Sequence, residues 1–337
     1  MDFGPVPLAL AEGAILAHSL ALPGGGRLRK GLVLGPAHLA MLAAAGVGMV
    51  TVARPAPGDV TEDAAAATLA AALVPDPAAA HLALTVAATG RVNFKAARAG
   101  VLAVDAARVD ALNRTDPAIT LATLPPLARV APGDLVATVK IIPYAVPGAA
   151  LAAACAGMAG AFAVRPVLLP DAGLVVTEVA GQKPGLTAKG IRAVEARLTA
   201  LGMALAGAEV VAHDAGAIAA ALGRMPGAMG LILTGSATSD LHDTAPEGLR
   251  QAGGAVERFG MPVDPGNLLF IGSLGGTPGP RPVIGLPGCV RSPALNGADW
   301  VLERLACGIP VTGGDIAGMG VGGLLAEIPQ RPHPREG

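Results

Sequence analysis

Aromatic side chains are scarce in this chain: 2% of 337 residues, with one Trp, one Tyr and five Phe. That excludes stacked-base platforms and aromatic cages as the main mode of recognition. Charged residues are also few, at 15%, and nearly balanced at a net −1. With no run of basic residues, nucleic acid is not expected as a partner. Cysteines number only three (Cys155, Cys289 and Cys307). Odd in number and widely spaced, they draw neither a disulfide framework nor a metal motif, which suits a reducing cytoplasm. His18, His38, His81 and His333 are scattered, which argues against a zinc site. The amino terminus shows no basic segment followed by an apolar one, so no signal peptide is expected. Residues 141–164 carry one uncharged run, but it is Ala- and Gly-rich with Pro143 and Pro147 near its start. A buried helix following a strand is expected there, and no membrane association.

What the chain does have is small apolar residues: 52% are hydrophobic, alongside 47 Gly and 30 Pro. The length suits two or three domains with real cores. Three regions are expected: an N-terminal helix and strand segment at 1–56, a mixed α+β region at 57–150, and an α/β domain at 166–325. In the first, a helix is expected over Leu8–Ala17, then the glycine run through Gly26 and the basic cluster Arg27, Arg29 and Lys30. A helix from Pro36 to Ala45 ends at Gly46, before a strand over Val47–Val52. In the second, Asp59, Glu62 and Asp63 form an acid-rich opening to an Ala-rich helix, as the helix dipole favours. Val136–Ile142 reads as a strong strand, and Lys140 within it as the guard of an exposed sheet edge.

From 166 onward, strands at Leu174–Thr177, Ala208–Val211, Leu231–Thr234 and Pro282–Cys289 alternate with helices. The helices are expected over Gly185–Leu201, Ala215–Leu222, Asp243–Ala252 and Ala294–Cys307. That alternation predicts a parallel sheet covered by helices on both faces. Ligands of such sheets bind at the carboxyl ends of the strands. The richest candidate is the stretch Gly230-Leu-Ile-Leu-Thr-Gly-Ser-Ala-Thr-Ser-Asp-Leu-His-Asp-Thr-Ala-Pro-Glu-Gly-Leu249, where a buried strand delivers a small polar loop to a helix start. Backbone N–H groups of Gly235, Ser236, Ala237, Thr238 and Ser239, with the hydroxyls of Thr234, Ser236, Thr238 and Ser239, suit a phosphate. The bland alternative is a strand-to-helix connection capped by Asp243 or Thr244. Gly318-Met-Gly-Val-Gly-Gly323 fits a dinucleotide fingerprint by letter, but too little chain follows it for that fold.

The spacing from Gly235 to Asp243, with Pro246 after it, resembles the pterin-binding loop of the molybdopterin-binding (Mog-like) family. That family includes molybdopterin adenylyltransferase and the last domain of molybdopterin molybdotransferase. Leu286-Pro-Gly-Cys-Val-Arg-Ser292 is similar to the family's Leu-Pro-Gly-Asn-Pro loop, and His213-Asp214 to its Asp-Asp pair. Farther upstream, Gly13–His18, Glu62–Ala65, Gly90–Asn93, Thr120–Leu124 and Ala137–Pro143 resemble a bacterial branch sometimes fused to a nucleotidyltransferase. The resemblance implies an α/β fold whose C-terminal parallel, mixed-edge sheet is preceded by a mixed α+β region. It also implies that the protein binds molybdopterin or its nucleotide form in molybdenum cofactor biosynthesis, accompanied by Mg²⁺. Thr234 to Ser239, Pro287, Gly288 and Arg291 would hold the ligand. Asp243 and Asp214 would be catalytic, with Asp243 also on the metal. Two roles stay open: a Mg²⁺-dependent transferase, or a non-catalytic carrier delivering cofactor to a molybdoenzyme. A cytoplasmic homo-oligomer, with a molybdoenzyme or nucleotidyltransferase as partner, is implied in both. Four positions depart from the family: Ser236 for glycine, Cys289 for a polar residue, and Asp264 and Asn267 for lysines.

Overall fold

The computed structural model describes residues 1–23, 25–276 and 279–325, so Gly24 and His333 lie outside the described residues. It is a mixed α/β fold whose contacts divide the chain into two units. One comprises residues 1–98 and 102–165, the other residues 99–101 with the chain from Pro166 onward.

The first unit opens with β1 (Asp2–Pro7) and β2 (Ile15–Leu16), both antiparallel to β3 (Met49–Arg54). Helix α1 (Pro36–Ala44) precedes β3. The helix expected over Leu8–Ala17 does not form. Only Leu8–Leu10 make a short 3-10 turn, and the chain then reverses through Gly13 at φ +72°. Its apolar residues instead reach a small core of their own: Leu8, Ala11, Ala14 and Leu16 all pack there with Leu42 and Val52. Helix α2 (Glu62–Leu73) begins three residues later than Asp59, which lies in a short strand, Asp59–Thr61, paired with Ala145–Pro147. Glu62 and Asp63 occupy its first turn, where carboxylates oppose the exposed N–H groups.

An antiparallel sheet follows, built from β4 (Leu82–Leu84), β5 (Arg91–Ala96), β6 (Ile119–Thr123) and β7 (Leu135–Ile141) in the order β6-β7-β5-β4. Helices α3 (Ala106–Thr115) and α4 (Gly148–Cys155) belong to the same unit. One sheet face is apolar at every second residue: Val92, Phe94, Ile119, Leu121, Val139 and Ile141 are buried against α2, α3 and α4. Phe94 and Phe162 meet edge to face at 5.0 Å within that core. Strand β7 is internal to the sheet, so Lys140 guards no edge. Its ammonium instead donates to the Thr89 carbonyl and lies 3.7 Å from Glu62. The uncharged run at 141–164 holds only the eight residues of α4, because Pro147 and Gly148 start the helix and Phe162–Pro166 return to strand. No helix among the described residues is long and apolar enough to cross a membrane.

The second unit holds a six-stranded sheet. Its strands are β8 (Asp171–Glu178), β9 (Ala204–Ala212), β10 (Gly230–Leu233), β11 (Ala255–Phe259), β12 (Phe270–Leu274) and β13 (Arg281–Leu286), in the order β9-β8-β10-β13-β12-β11. The first four strands in that order run parallel, and β12 and β11 close the sheet antiparallel. These two closing strands escape a sequence reading because Gly260, Pro262, Pro265 and Gly266 break the apolar pattern between them. Helices α5 (Leu186–Ala200), α6 (Ala215–Arg224), α7 (Thr244–Gln251) and α8 (Gly297–Ala306) supply the cover. Leu174, Val176, Leu231, Leu233, Ile284 and Leu286 pack with α5 and α8. The alternate residues Val175, Ile232 and Val283 pack with α6 and α7. Both faces are therefore apolar, which is why these strands read as continuous hydrophobic runs. Helix α8 starts at Gly297 and not at Ala294, because Asn296 and Asp299 form a reciprocal cap.

Small residues set the sheet spacing. A Cβ on Gly285 of β13 would lie 1.8 Å from the Phe270 ring on β12. Gly285→Ala is therefore expected to lower stability by about 1–3 kcal/mol through overpacking. Phe270→Leu in the same chain should recover part of that loss, measurable as a rise in denaturation midpoint over the single variant.

Candidate functional site

Strands β8, β10 and β13 are hydrogen-bonded neighbours with Val176 opposite Leu233 and Leu233 opposite Leu286. Their parallel direction brings three loops side by side at one edge, where α/β sheets receive ligands. Thr177, fully buried at the end of β8, joins two of them and reaches a further strand. Its Oγ1 accepts from the Gly235 N–H at 2.9 Å and shares a 2.9 Å hydrogen bond with His213 Nδ1, just past β9. Gly235 fits only because it lacks a side chain. A Cβ there would stand 2.7 Å from both the Thr177 carbonyl oxygen and Gln182 Oε1.

After Gly235 the loop turns outward. Ser236 and Ala237 are exposed, Thr238 is buried, and Ser239 is exposed. The N–H groups of Ser236, Ala237 and Thr238 have no acceptor among the described residues, and neither do the hydroxyls of Thr234, Ser236 and Thr238. Three successive N–H groups without a protein acceptor there, the first two on exposed residues, can receive an anion together with the neighbouring hydroxyls. Asp243 closes the loop as the N-cap of α7. One carboxylate oxygen accepts from Ser239 N at 2.8 Å and Ser239 Oγ at 3.3 Å, the other from Thr244 N at 2.7 Å. Donation from the Ser239 backbone, outweighing desolvation and joined by Thr244, holds its carboxyl below the usual range.

The third loop carries Pro287, buried, and Gly288, exposed, at the start of a 3-10 turn, Gly288–Arg291. Arg291 does not extend toward solvent. Its Nη2 donates to the Thr234 carbonyl at 2.8 Å and its Nη1 to Gly288 at 3.4 Å, so it ties the third loop to the second. Its Nε is buried with no hydrogen-bond partner among the described residues. Burial lowers the guanidinium's pKa below its ordinary value. Cys289 is exposed as a residue, but its sulfur turns onto the buried Asn296, whose Nδ2 donates to it at 2.9 Å. Burial of the sulfur pushes the thiol up, against the Asn296 donation, and the nearby Asp264 carboxylate adds to the rise. A raised thiol is a poor nucleophile.

The structure thus brings together Thr234 to Ser239, Asp243, Pro287, Gly288 and Arg291. Asp214 follows β9, is exposed, and caps α6 by accepting from Ala217 N at 3.0 Å. Asn267 is exposed and donates to the Met261 carbonyl at 3.3 Å. No group of three or more His, Cys, Asp and Glu side chains able to hold a metal occurs among the described residues.

Sequence reasoning missed Arg197. From α5 its guanidinium pairs with Asp299 at 2.6 Å and donates to the carbonyls of Val290 and Ser292, both at 2.9 Å, and of Ala294 at 3.1 Å. The available signal was its position: three residues after Val194 and seven after Gly190, it shares their buried helix face. A cavity of about 830 Å³ lies at the opposite, amino-terminal edge of the parallel strands, lined by Met225, Gly227, Leu274 and Arg281. Arg281 there is engaged with the Met225, Gly227 and Leu222 carbonyls. The loops, with their open donors, are the better site.

Comparison with known proteins adds little to this geometry. Residues 5–54 match a domain of unknown function (DUF8806). None of the curated proteins compared with the chain matches it. Among solved structures, a molybdenum cofactor biosynthesis protein from Pyrococcus furiosus is similar at 13% identity and a TM-score of 0.24. The match covers 94% of this chain and 65% of that one, so this chain spans just under two thirds of that protein's length. At that TM-score the likeness assigns no role to any residue.

Asp243 gives a pH test of the loop. Because its folded-state pKa is depressed, its charge stabilises the fold above the ordinary carboxylate range. That contribution is lost as pH falls through the lowered folded value. Asp243→Ala is expected to cost about 1 kcal/mol at neutral pH. Asp243→Asn keeps a cap oxygen and should cost about 0.3–1 kcal/mol, the charge part alone. Denaturation midpoints followed from pH 7 into strong acid should show the Asn variant converging on wild type.

Proposed function

We propose that the second unit binds molybdopterin, free or nucleotide-linked, in molybdenum cofactor biosynthesis, with the loop from Thr234 to Ser239 holding its phosphate. The observation that carries the reading is the run of open N–H groups at Ser236, Ala237 and Thr238, set at the end of a central parallel strand. The spacing from Gly235 to Asp243 and the Pro287-Gly288 turn on the adjacent strand support it. Ser236 stands where the resemblance leads one to expect glycine. Its hydroxyl, free of protein partners, supplies a donor in place of the closer backbone approach that glycine permits.

Of the two roles, binding and delivery without chemistry is the one these side chains favour. Arg291 is engaged with carbonyl oxygens, and Asp264 and Asn267 stand where lysines would otherwise neutralise phosphoryl charge. Asp243 already accepts three donors, from Ser239 and Thr244, so it would offer Mg²⁺ at most a weak carboxylate contact, and the ion would serve to offset phosphate charge.

Anaerobic titration of the full chain with molybdopterin should give saturable binding. One neutral hydrogen bond contributes roughly 0.5–1.5 kcal/mol net, so Ser236→Ala should weaken that binding about three- to tenfold. Ser236→Gly should weaken it less, and dephosphorylated pterin should respond to neither change. Binding of a nicotinamide or flavin with none of pterin would sink the reading. Turnover of molybdopterin with ATP or CTP in the presence of Mg²⁺ would move the protein from carrier to transferase.

A further inference from the structure

The polar residues of three segments outside the second unit's site converge on one surface. In the sheet β6-β7-β5-β4, directly opposed residues share a face, and the register places Thr120, Lys140 and Arg91 in one row. Ala122, Thr138 and Asn93 form the next row, and Leu135 and Lys95 one beyond a bulge. The opposite face is the packed core, so this face is the open one. Its charged side chains, Arg91, Lys95 and Lys140, are all cations, and none of the strand positions on it is a carboxylate. In a chain with 15% charged residues and a net charge of −1, that segregation stands out.

Arg91 and Lys140 are moreover direct cross-strand partners, an arrangement of like charges that destabilises a sheet. Lys140 is compensated by Glu62 at 3.7 Å. Arg91 has no carboxylate partner among the described residues. It is exposed, and its Nη1 donates to Thr138 Oγ1 at 3.0 Å, which in turn donates to Asn93 Oδ1 at 2.8 Å. An exposed guanidinium fork, held at one nitrogen by Thr138 and with hydroxyl and amide groups beside it, is suited to a phosphate and to the polar groups attached to it.

We infer that this open sheet face is a second binding site, for a soluble phosphate monoester, centred on Arg91 with Asn93, Thr138 and Lys140. The only large apolar side chain exposed on these strands is Leu135, and the face bears no aromatic, so it offers little to a bilayer or to stacked bases. The inference stands independently of the ligand assigned to the second unit.

The test uses the full chain, with inorganic phosphate and glycerol 3-phosphate as probes against chloride at matched ionic strength. Amide NMR shifts at 91–95, 120 and 138–140 should saturate with either phosphate but not with chloride. Arg91→Gln should weaken that response at least roughly tenfold, as expected for losing charge-assisted hydrogen bonds. Arg91→Lys, which keeps the charge without the fork, should fall between. Ser236→Ala, in the other unit, should leave it unchanged. No phosphate response beyond that of chloride would overturn the proposal, as would a response kept in Arg91→Gln or abolished by Ser236→Ala. Binding of anionic vesicles or an oligonucleotide without the soluble phosphates would overturn it as well.

Discussion

The site edge of the second unit depends on one largely buried guanidinium. Arg197 reaches from α5 across to the segment between β13 and α8, where three carbonyls and the Asp299 carboxylate converge on it. Carbonyl oxygens at an irregular turn have no ladder partner and must be satisfied some other way. Arginine's planar set of five donors can serve several at once, which lysine's ammonium could not do in the same geometry. Asp299 neutralises the buried charge and also caps the backbone at Asn296, so the ion pair and the start of α8 are one construction. Removing one partner of such a pair leaves a buried charge uncompensated, which is costlier than the pair's net contribution suggests.

From that anchor the loops are linked in series. Arg197 fixes Val290 and Ser292, and Arg291 between them holds the Thr234 carbonyl. Thr177 holds the Gly235 N–H from the other side. The segment carrying the open donors is thus gripped at its first two residues and at Asp243, and its middle is left free. A phosphate cradle needs this combination: fixed ends orient the N–H groups, and unpaired N–H groups keep their donor capacity for a ligand. The same chain of contacts explains why a cysteine is tolerated at position 289, since its sulfur only has to accept from Asn296.

The two units handle sheet faces differently. In the second, both faces of the central strands are covered by helices, so function is confined to the strand ends. In the first, helices cover one face of the four-stranded sheet and the other carries its polar side chains outward. A lysine in a mid-sheet strand is reasonable there, because alternation sends it away from the core.

The sequence by itself determined the α/β character of the second unit, the order of its parallel strands' helices, and the polar loop after Leu233. Those features are local: period-two or continuous apolar runs, glycine breaks and cap residues such as Asp243 act over a few positions. It also left the glycine at 235 conspicuous without saying why, since the clash with Thr177 and Gln182 involves residues more than fifty positions away. Where local signals were equivocal, tertiary packing decided. Leu8–Ala17 has helical composition but folds as turn and strand around a small core, and Lys140 sits inside a sheet whose strand order no local pattern encodes. The roles of Arg291 and Arg197 were likewise invisible, because an arginine's five donors are assigned by whichever carbonyls the fold brings within reach. Only the assembled sheet edge turns Arg291 from an expected ligand contact, and Arg197 from an unremarked helix residue, into the ties that hold the loops in place.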